Sequence, residues 1–472
     1  MKLYLFDWLF LLYSGVALGI YWSLNRHTRA QNAFLFSASL VFIGLINIYW
    51  MLLVLSSSIF NYYMVYSINN AEEAKLRKNL LLLSISTNAI MLGLFKFLDF
   101  SCTGGISLCF LLPIGISYYT FQAISCSVDI YKTRERETKR KIPHFIDFAI
   151  FMVFYPKIYA GPIERGAHFI TQISKKKKMS ISKAGSAIQL IILGYFLKKV
   201  IADIVGYTIK GFYNAPQDYS SFDAYLMICL YSVQIYADFS GLIDVVRGVS
   251  MLFGFDLVEN FQHPYLSTNI QDFWRKWHMS LSSWVRDYLY IPLGGNRKGV
   301  KRTYLNLIIV MFIVGLWHGI SINFIIWGLL HGFYMAIFRE LNKRKKNHDE
   351  VQVKKLPHFL RKALFWFLTF NMVTFAWIFF RSSSLNVSFS VFQTIFSFKS
   401  MKYVSDSLSY LYVLIFFGSI ITIFDIAQMK QKRPDFISRA HWIVRGLILA
   451  FLVIATVLFQ FEINEPAIYE GF

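Results

Sequence analysis

Long uncharged runs separated by short basic clusters dominate this sequence. A spanning helix needs roughly 20 predominantly apolar residues. Runs close to that length cover residues 4–23, 33–47, 49–67, 80–98, 106–127, 184–208, 222–242, 304–319, 323–338, 363–380, 408–428 and 444–461. Shorter apolar pieces at 144–162 and 242–256 carry Pro, Gly or charge, so we expect re-entrant or buried segments there. The pattern predicts an all-α, multipass integral membrane protein with about 11–13 transmembrane helices plus re-entrant segments.

The basic clusters indicate which ends of these spans face the cytoplasm, because Lys and Arg accumulate in cytoplasmic loops. All of these clusters fall on the same side of the membrane if 32–68 and 303–338 each form a helical hairpin and 144–162 is a re-entrant segment. The acidic tail 462–471 then lies outside. Asp7 interrupts the first run and no small-residue cleavage site follows, so we expect an uncleaved first span. The clusters lie at 26–29, 75–78, 132–141, 175–178, 297–302, 339–362 and 430–445.

Composition supports a membrane protein and narrows its partners. Of 472 residues, 56% are hydrophobic and 16% charged, which is too apolar for a soluble domain. The net charge of +21 is spread over loops rather than one face, so we expect membrane lipid and no nucleic acid as a partner. The four cysteines show no metal spacing, and we predict no metal. We expect one membrane domain, 1–472, with N-terminal spans in 1–100, a core in 106–338 and C-terminal spans in 363–472.

The second predicted hairpin contains a candidate catalytic histidine. The run Thr303 to Phe338 has no charged residue, and helix geometry places His318 roughly 24 Å from Arg302, near the far tip. A histidine at that depth is a functional-site hypothesis by default, and imidazole can act as a general base. Trp317 lies beside it at a Gly-Ile-Ser break. His331 continues into a plain helix, where we expect a helix–helix hydrogen bond.

The segment "FWRKWHMSLSSW" (273–284) suggests a second site near the cytoplasmic face. Trp274, Trp277 and His278 are spaced to share one helix face, while Arg275 and Lys276 point elsewhere. An interfacial helix with aromatic anchors explains this pattern, and so does a histidine that faces a cavity and contacts substrate. Two histidines at different depths suggest a passage between the two sides.

Asp238, in "QIYADFSGLIDVVRG", has no charged partner nearby in the sequence. Its partner is either a group that passes through the protein or a basic residue elsewhere in the chain, and the sequence favours neither. The sequence lacks a G-x-S-x-G elbow, an H-E-x-x-H pair and a P-loop lysine motif. A serine esterase, a zinc peptidase and an ATPase therefore lose support, and direct transfer between two bound substrates gains it.

An ordered set of segments resembles the membrane-bound O-acyltransferases, and within them the bacterial alginate O-acetyltransferase-like membrane subunits. The resemblance implies a multipass enzyme of the bacterial inner membrane, with a central tunnel from a cytoplasmic donor entrance to an extracytoplasmic acceptor funnel. The family's intramembrane and loop-side histidines match His318 and His278. The matching segments include "LPIGISYYTFQAISCSVDIYK" (112–132), "FYPKIYAGPIER" (154–165), "LGYFLKKVIADIV" (193–205), "FWRKWHMSLSSWVRDYLYIPLGGNRKG" (273–299) and "GLWHGISINFIIWGLLHG" (315–332).

The resemblance implies transfer of a short acyl group, with acetyl favoured, from a cytoplasmic thioester to an extracytoplasmic hydroxyl. We expect the donor to be acetyl-coenzyme A or an acyl carrier protein thioester, with no tightly bound cofactor. We expect an extracytoplasmic acyltransferase partner protein to receive the acyl group and to pass it on to a polysaccharide, the final acceptor. We expect His318 and His278 to be catalytic. The residues expected to bind substrate are Trp274, Trp277, Arg275, Lys276, Trp317 and Asp238, with Arg297 and Lys298 also attracting donor phosphates.

Three other functions remain open. D-alanyl transfer subunits for teichoic acid share "WHMSLS" but usually lack "YIPLGGNRKG". A proton-coupled transporter or flippase would use the histidines and Asp238 as a proton relay. A scaffold for polymer export would not need either histidine.

Overall fold

The computed structural model describes residues 5–102, 112–135, 142–347, 357–400, 404–431, 435–459 and 468. Every regular element in these residues is helical, which confirms the all-α class. Nine of the described helices are long and apolar enough to cross a membrane. The predicted start of the fifth span at 106–111, part of the basic cluster at 132–141 and all of the acidic tail except Ile468 lie outside the described residues.

The described residues of Met1–Tyr195 and Leu242–Val258 form one compact unit. Its longer helices are uncharged over most of their length because their side chains have no water to face. They are α1 (Trp8–Ser23), α2 (Thr28–Ile46), α3 (Ile48–Asn70), α4 (Ala74–Cys102), α5 (Ile116–Glu135), α6 (Phe145–Val153), α7 (Tyr155–Ile158), α8 (Gly166–Ile173) and α9 (Ile181–Phe196).

The described residues of Phe196–Gly241 and Glu259–Ile468 form the second compact unit. Its helices are α10 (Asp203–Asn214), α11 (Ser221–Leu252), α12 (Ile270–Lys276), α13 (Met279–Val285), α14 (Val300–His318), α15 (Ile322–Asn347), α16 (His358–Arg381), α17 (Leu385–Phe396), α18 (Val404–Gln431) and α19 (Trp442–Phe459). A π-helical stretch, Leu197–Ala202, joins α9 to α10, and another, Arg286–Tyr290, follows α13. Helix α11 extends past Gly241, so its last residues belong to the first unit.

Each predicted span coincides with a helix, although three of those helices, α1, α5 and the continuous α9–α10, are not among the nine. The segment predicted as re-entrant or buried at 242–256 is mostly buried. It is not re-entrant, because α11 runs without a break to Leu252. The predicted segment 144–162 consists of α6 and α7, and residues 147–163 are almost all buried. Helix α11 is 94% buried over its most apolar window, whereas α18 is 17% buried. Helix α11 is therefore a core helix, and α18 presents most of its surface outward.

Candidate active site

The α14–α15 hairpin holds His318 at its tip. Helix α14 ends at His318, and α15 begins three residues after Gly319. The two helices touch through glycines: an ideal Cβ on Gly328 would lie 2.3 Å from the Met311 carbonyl oxygen, and one on Gly315 would lie 2.3 Å from that of Phe324. Small residues let helix backbones approach closely in membranes. Backbone contact therefore fixes the position of His318, as the predicted hairpin requires.

Four aromatic rings surround the His318 imidazole. Ring centroids lie 4.6 Å away for Trp317, 5.0 Å for Trp327, 5.0 Å for Phe380 and 6.2 Å for Phe324. His318 is 4% exposed. The rings come from both hairpin helices and from α16, so the tertiary fold assembles this enclosure. In the structure, His318 is shielded from bulk water.

The chain changes direction between Trp274 and His278, and the predicted shared helix face is wrong. Helix α12 ends at Lys276, Trp277 is extended, and His278 adopts the left-handed conformation at φ +43°. Asn260 stabilises the break, because its carbonyl oxygen accepts from Met279 N at 2.9 Å and its side-chain oxygen accepts from Ser280 N at 3.2 Å. These bonds satisfy donors that the start of α13 would otherwise leave unpaired.

The two histidines pack on the same indole. Trp317 lies 4.6 Å from His318 and 6.3 Å from His278 between ring centroids. His278 is also buried, and its ring contacts Phe239 at 4.9 Å. Burial lowers the pKa of His278 to about 3, so its imidazole is neutral at physiological pH. Trp317 therefore links the two histidines, and their difference in depth stays a prediction.

His331 forms the predicted helix–helix hydrogen bond. Its Nδ1 accepts from the indole N–H of Trp274 at 3.2 Å, joining α15 to α12. Trp274 also contacts the Trp327 ring at 5.9 Å, and Trp327 contacts His318. The third tryptophan, Trp277, stacks on Phe273 at 5.5 Å in the core of the second unit. The aromatic residues of this segment are thus packing residues as well as candidate substrate contacts.

A cavity of about 480 Å³ opens beside α12, α13 and α14 in the second unit. Along α14 it follows Leu307, Val310, Met311 and Val314, which lie on one helix face. The next positions on that face are Trp317 and His318, and His318 lies four residues or about 6 Å along the helix axis beyond Val314. His318 itself is not among the lining residues. The cavity therefore runs toward the histidine and stops one turn short of it.

The other part of this cavity carries positive charge. Arg275, Arg286 and Arg339 all line it, together with Ser282 and Ser283. Arg275 was expected to bind substrate, but Arg286 and Arg339 were not. Arg339 begins the basic cluster 339–362, and Arg286 lies within the quoted segment 273–299. Arg286 is also paired with Asp287, at 2.8 Å. Lys276 does not line the cavity and is paired with Asp272 at 2.8 Å. Arg297 and Lys298 do not line the cavity.

Asp238 has a basic partner elsewhere in the chain, as one of its two open alternatives allowed. The Lys198 Nζ lies 2.8 Å from Asp238 Oδ1 and 2.7 Å from Asp203 Oδ1, and all three side chains are buried. The Ile468 N–H donates to Asp238 Oδ2 at 2.7 Å. Nothing in the sequence around Asp238 pointed to Lys198. The pair Lys198-Lys199 inside the apolar run 193–205 did indicate that a buried carboxylate lies nearby.

Comparisons with known proteins give a consistent result. The model of the MBOAT, membrane-bound O-acyltransferase family, matches residues 36–344. A peptidoglycan O-acetyltransferase from Helicobacter pylori is 34% identical over 384 residues, 75% of this chain and 71% of the relative. A probable alginate O-acetylase AlgI from Pseudomonas aeruginosa is 34% identical over 400 residues, 82% of this chain and 73% of the relative. A teichoic acid D-alanyltransferase from Bacillus subtilis is 29% identical over 281 residues, 57% of this chain and 68% of the relative.

Proposed function

Because the chain belongs to the membrane-bound O-acyltransferase family, we propose that it moves an acetyl group from a cytoplasmic thioester to an extracytoplasmic hydroxyl. The chain is an O-acyltransferase and a multipass protein of the bacterial cell membrane. One observation carries the finer proposal: the arginine-lined cavity follows the face of α14 that ends at His318.

The cavity suits an acyl thioester in size and polarity. Its arginines can bind phosphates by charge-assisted hydrogen bonds, and its Leu, Val and Met wall suits the uncharged arm that ends in the thioester. A volume of about 480 Å³ fits part of a coenzyme or of a carrier-protein arm rather than a whole coenzyme. The basic cluster at 339–362, which begins at the lining residue Arg339, supports a cytoplasmic mouth for this cavity under the positive-inside rule.

His318 acts as the general base in this proposal. Its imidazole takes the proton of the acceptor hydroxyl as the oxygen attacks the thioester carbonyl, forming the new C–O bond. The C–S bond then breaks, and the leaving sulfur takes the proton back from the imidazolium. The Trp327 ring contacts both His318 and Trp274, which lines the cavity, so in this proposal the ring moves aside to admit the thioester.

The remaining site residues act around this base. His278 orients Trp317, which it contacts, and stays neutral so that no buried charge opposes protonation of His318. Trp274 and Arg275 line the donor route. Asp238 holds Lys198 and sets the position of α11, a positioning role in place of a substrate contact.

The relatives favour acetyl over D-alanine. The names of the more similar relatives specify O-acetylation of peptidoglycan and alginate, and these matches cover three quarters or more of this chain. The D-alanyltransferase match covers 57% of it. We assign the final acceptor to a cell-surface polysaccharide, reached through an extracytoplasmic acyltransferase partner protein.

Inverted membrane vesicles test the proposal, since their cytoplasmic face is outside. Labelled acetyl-coenzyme A is added, and base-labile label on luminal polymer and protein is measured; D-alanyl carrier-protein thioester is supplied in a parallel arm. We expect His318→Ala to lower transfer by about 10²–10⁴-fold at equal protein level, and the exposed control His441→Ala to retain it. Full transfer by His318→Ala would exclude His318 as the base, and label from D-alanine alone would reassign the acyl group.

The donor cavity has its own arm in the same assay. Arg286→Gln combined with Arg339→Gln removes two lining charges without touching His318. We expect the KM for the thioester to rise at nearly constant kcat, because binding contacts made equally in ground and transition states affect KM alone. An unchanged KM would place the donor elsewhere.

A further inference from the structure

The first unit contains a second cavity, of about 760 Å³, that the proposed function does not use. Its lining includes Arg29 and Lys175, both of which are exposed, and His144. Hydroxyl groups of Thr28, Thr171 and Ser174 also line it. The hydroxyl groups of Thr171 and Ser174 already donate to the carbonyl oxygens of Ala167 and Ile170. The two permanent cations and the Thr28 hydroxyl are therefore the donor set that this cavity offers to an oxyanion.

Two helices begin at this cavity. Thr28 is the first residue of α2 and His144 directly precedes α6, and both line the cavity. In the described residues, the side chains of the N-cap residues His27 and His144 accept no hydrogen bond from the backbone N–H groups of these helix starts. Backbone N–H groups at a helix start point outward and carry partial positive charge, which favours phosphate there. The helix starts thus add to the attraction from Arg29 and Lys175.

One carboxylate, Asp147, also lines the cavity and opposes an anion. It already accepts from the Asn32 side-chain amide at 2.8 Å and from the Ser174 hydroxyl at 3.4 Å. Within the described part of the chain, Arg29 and Lys175 form no ion pair. The permanent charges therefore sum to a positive cavity, and the two cations remain available to a ligand.

The rest of the lining is apolar. Ile142, Pro143, Ile146 and Ile170 are each half-buried at the cavity. A small inorganic ion would leave this surface and most of the 760 Å³ unused. We propose that the cavity binds the net-anionic phosphate group of an amphiphilic molecule, with the phosphate on Arg29, Lys175 and the starts of α2 and α6, and the carbon skeleton on the isoleucines.

Two sources supply this chemistry: the headgroup of an anionic phospholipid and a soluble organic phosphate. The binding test uses the purified full-length protein in detergent. Phosphatidylglycerol and zwitterionic phosphatidylcholine are titrated and bound lipid is counted by native mass spectrometry, while glycerol phosphate is titrated in a thermal-shift assay. The test variant is Arg29→Gln with Lys175→Gln. The control is Lys176→Gln with Lys178→Gln, which loses the same charge from exposed lysines outside the cavity lining.

We expect phosphatidylglycerol to bind the wild type and the control alike, and to bind the test variant about thirtyfold more weakly, since each basic residue near an anionic surface contributes about a factor of five. The same variant dependence seen with glycerol phosphate alone would support the site with a soluble ligand. Equal binding by test and control variants, for both ligands, would overturn the proposal. Lys175→Glu serves as the second variant if the double variant does not fold. The readout is binding, so it does not depend on acyl transfer.

Discussion

Replacing Gly328 with alanine places a methyl group where α14 and α15 touch. The new carbon would lie 2.3 Å from the Met311 carbonyl oxygen and 3.1 Å from the Gly315 Cα. Both neighbours are backbone atoms, so no side chain can rotate away. An ordinary carbon–oxygen contact is about 3.3 Å or longer. The two helices therefore have to separate locally by about 1 Å.

We expect this separation to affect His318, the proposed base, more than the fold. Overpacking of this kind costs about 1–3 kcal/mol of unfolding free energy. A displacement of about 1 Å at a reacting group can lower the rate by about 10²-fold. Because His318 ends α14 three residues after Gly315, we expect Gly328→Ala to lower kcat by about 10²-fold while most of the protein stays folded.

The assay compares acetyl transfer and thermal unfolding for two glycine variants. Gly418→Ala in α18 is the control, because a Cβ there meets nothing within 4 Å. It makes the same glycine-to-alanine change in helix propensity without the collision. If Gly328→Ala matched Gly418→Ala in both rate and melting temperature, the close backbone contact would not be what positions His318.

Two further predictions concern charged groups. Lys198→Met leaves two buried carboxylates without their shared cation, so we expect the unfolding free energy in detergent to fall by about 3–5 kcal/mol. The control Lys183→Met breaks an exposed ion pair, and we expect it to lower the unfolding free energy by at most about 1 kcal/mol. Equal losses in the two variants would contradict the burial argument. The Glu164 carboxylate, 2.7 Å from His168 Nδ1, raises the pKa of His168. Protonation of His168 therefore stabilises the fold fully below about pH 6.5 and less as pH rises through the raised pKa. We expect the melting temperature of the wild type to fall over that pH window and that of His168→Gln to change less. Parallel melting profiles of the two proteins would contradict this.

The α14–α15 hairpin was predictable because its signal is local. An uncharged run bounded by basic clusters, with a Gly-Ile-Ser interruption in the middle, indicates two helices and a tip. That placed His318 correctly at the end of a helix. The sequence did not indicate which helix faces meet, because the contact of Gly328 with Met311 depends on the rotation of one helix against the other.

The break between α12 and α13 was not predictable from spacing. Trp274, Trp277 and His278 fit a helical repeat, and local propensity favours continuing the helix. Asn260 overrides this with two hydrogen bonds to the start of α13. A contact across about twenty residues of sequence, from a loop with no helical signal, supplies the missing information.

The "YADFSG" motif connects a buried carboxylate to the candidate active site through packing contacts. Asp238 binds Lys198 on one side of α11, and Tyr236 donates to Asp425 Oδ1 at 2.7 Å. These bonds fix the rotation of α11, and the adjacent Phe239 then packs on His278 at 4.9 Å. The ring of His278 in turn packs on Trp317, the neighbour of His318. Replacing Lys198 should therefore disturb the candidate active site through these packing contacts. A fall in kcat at unchanged donor KM would distinguish this positioning role from a substrate contact by Asp238.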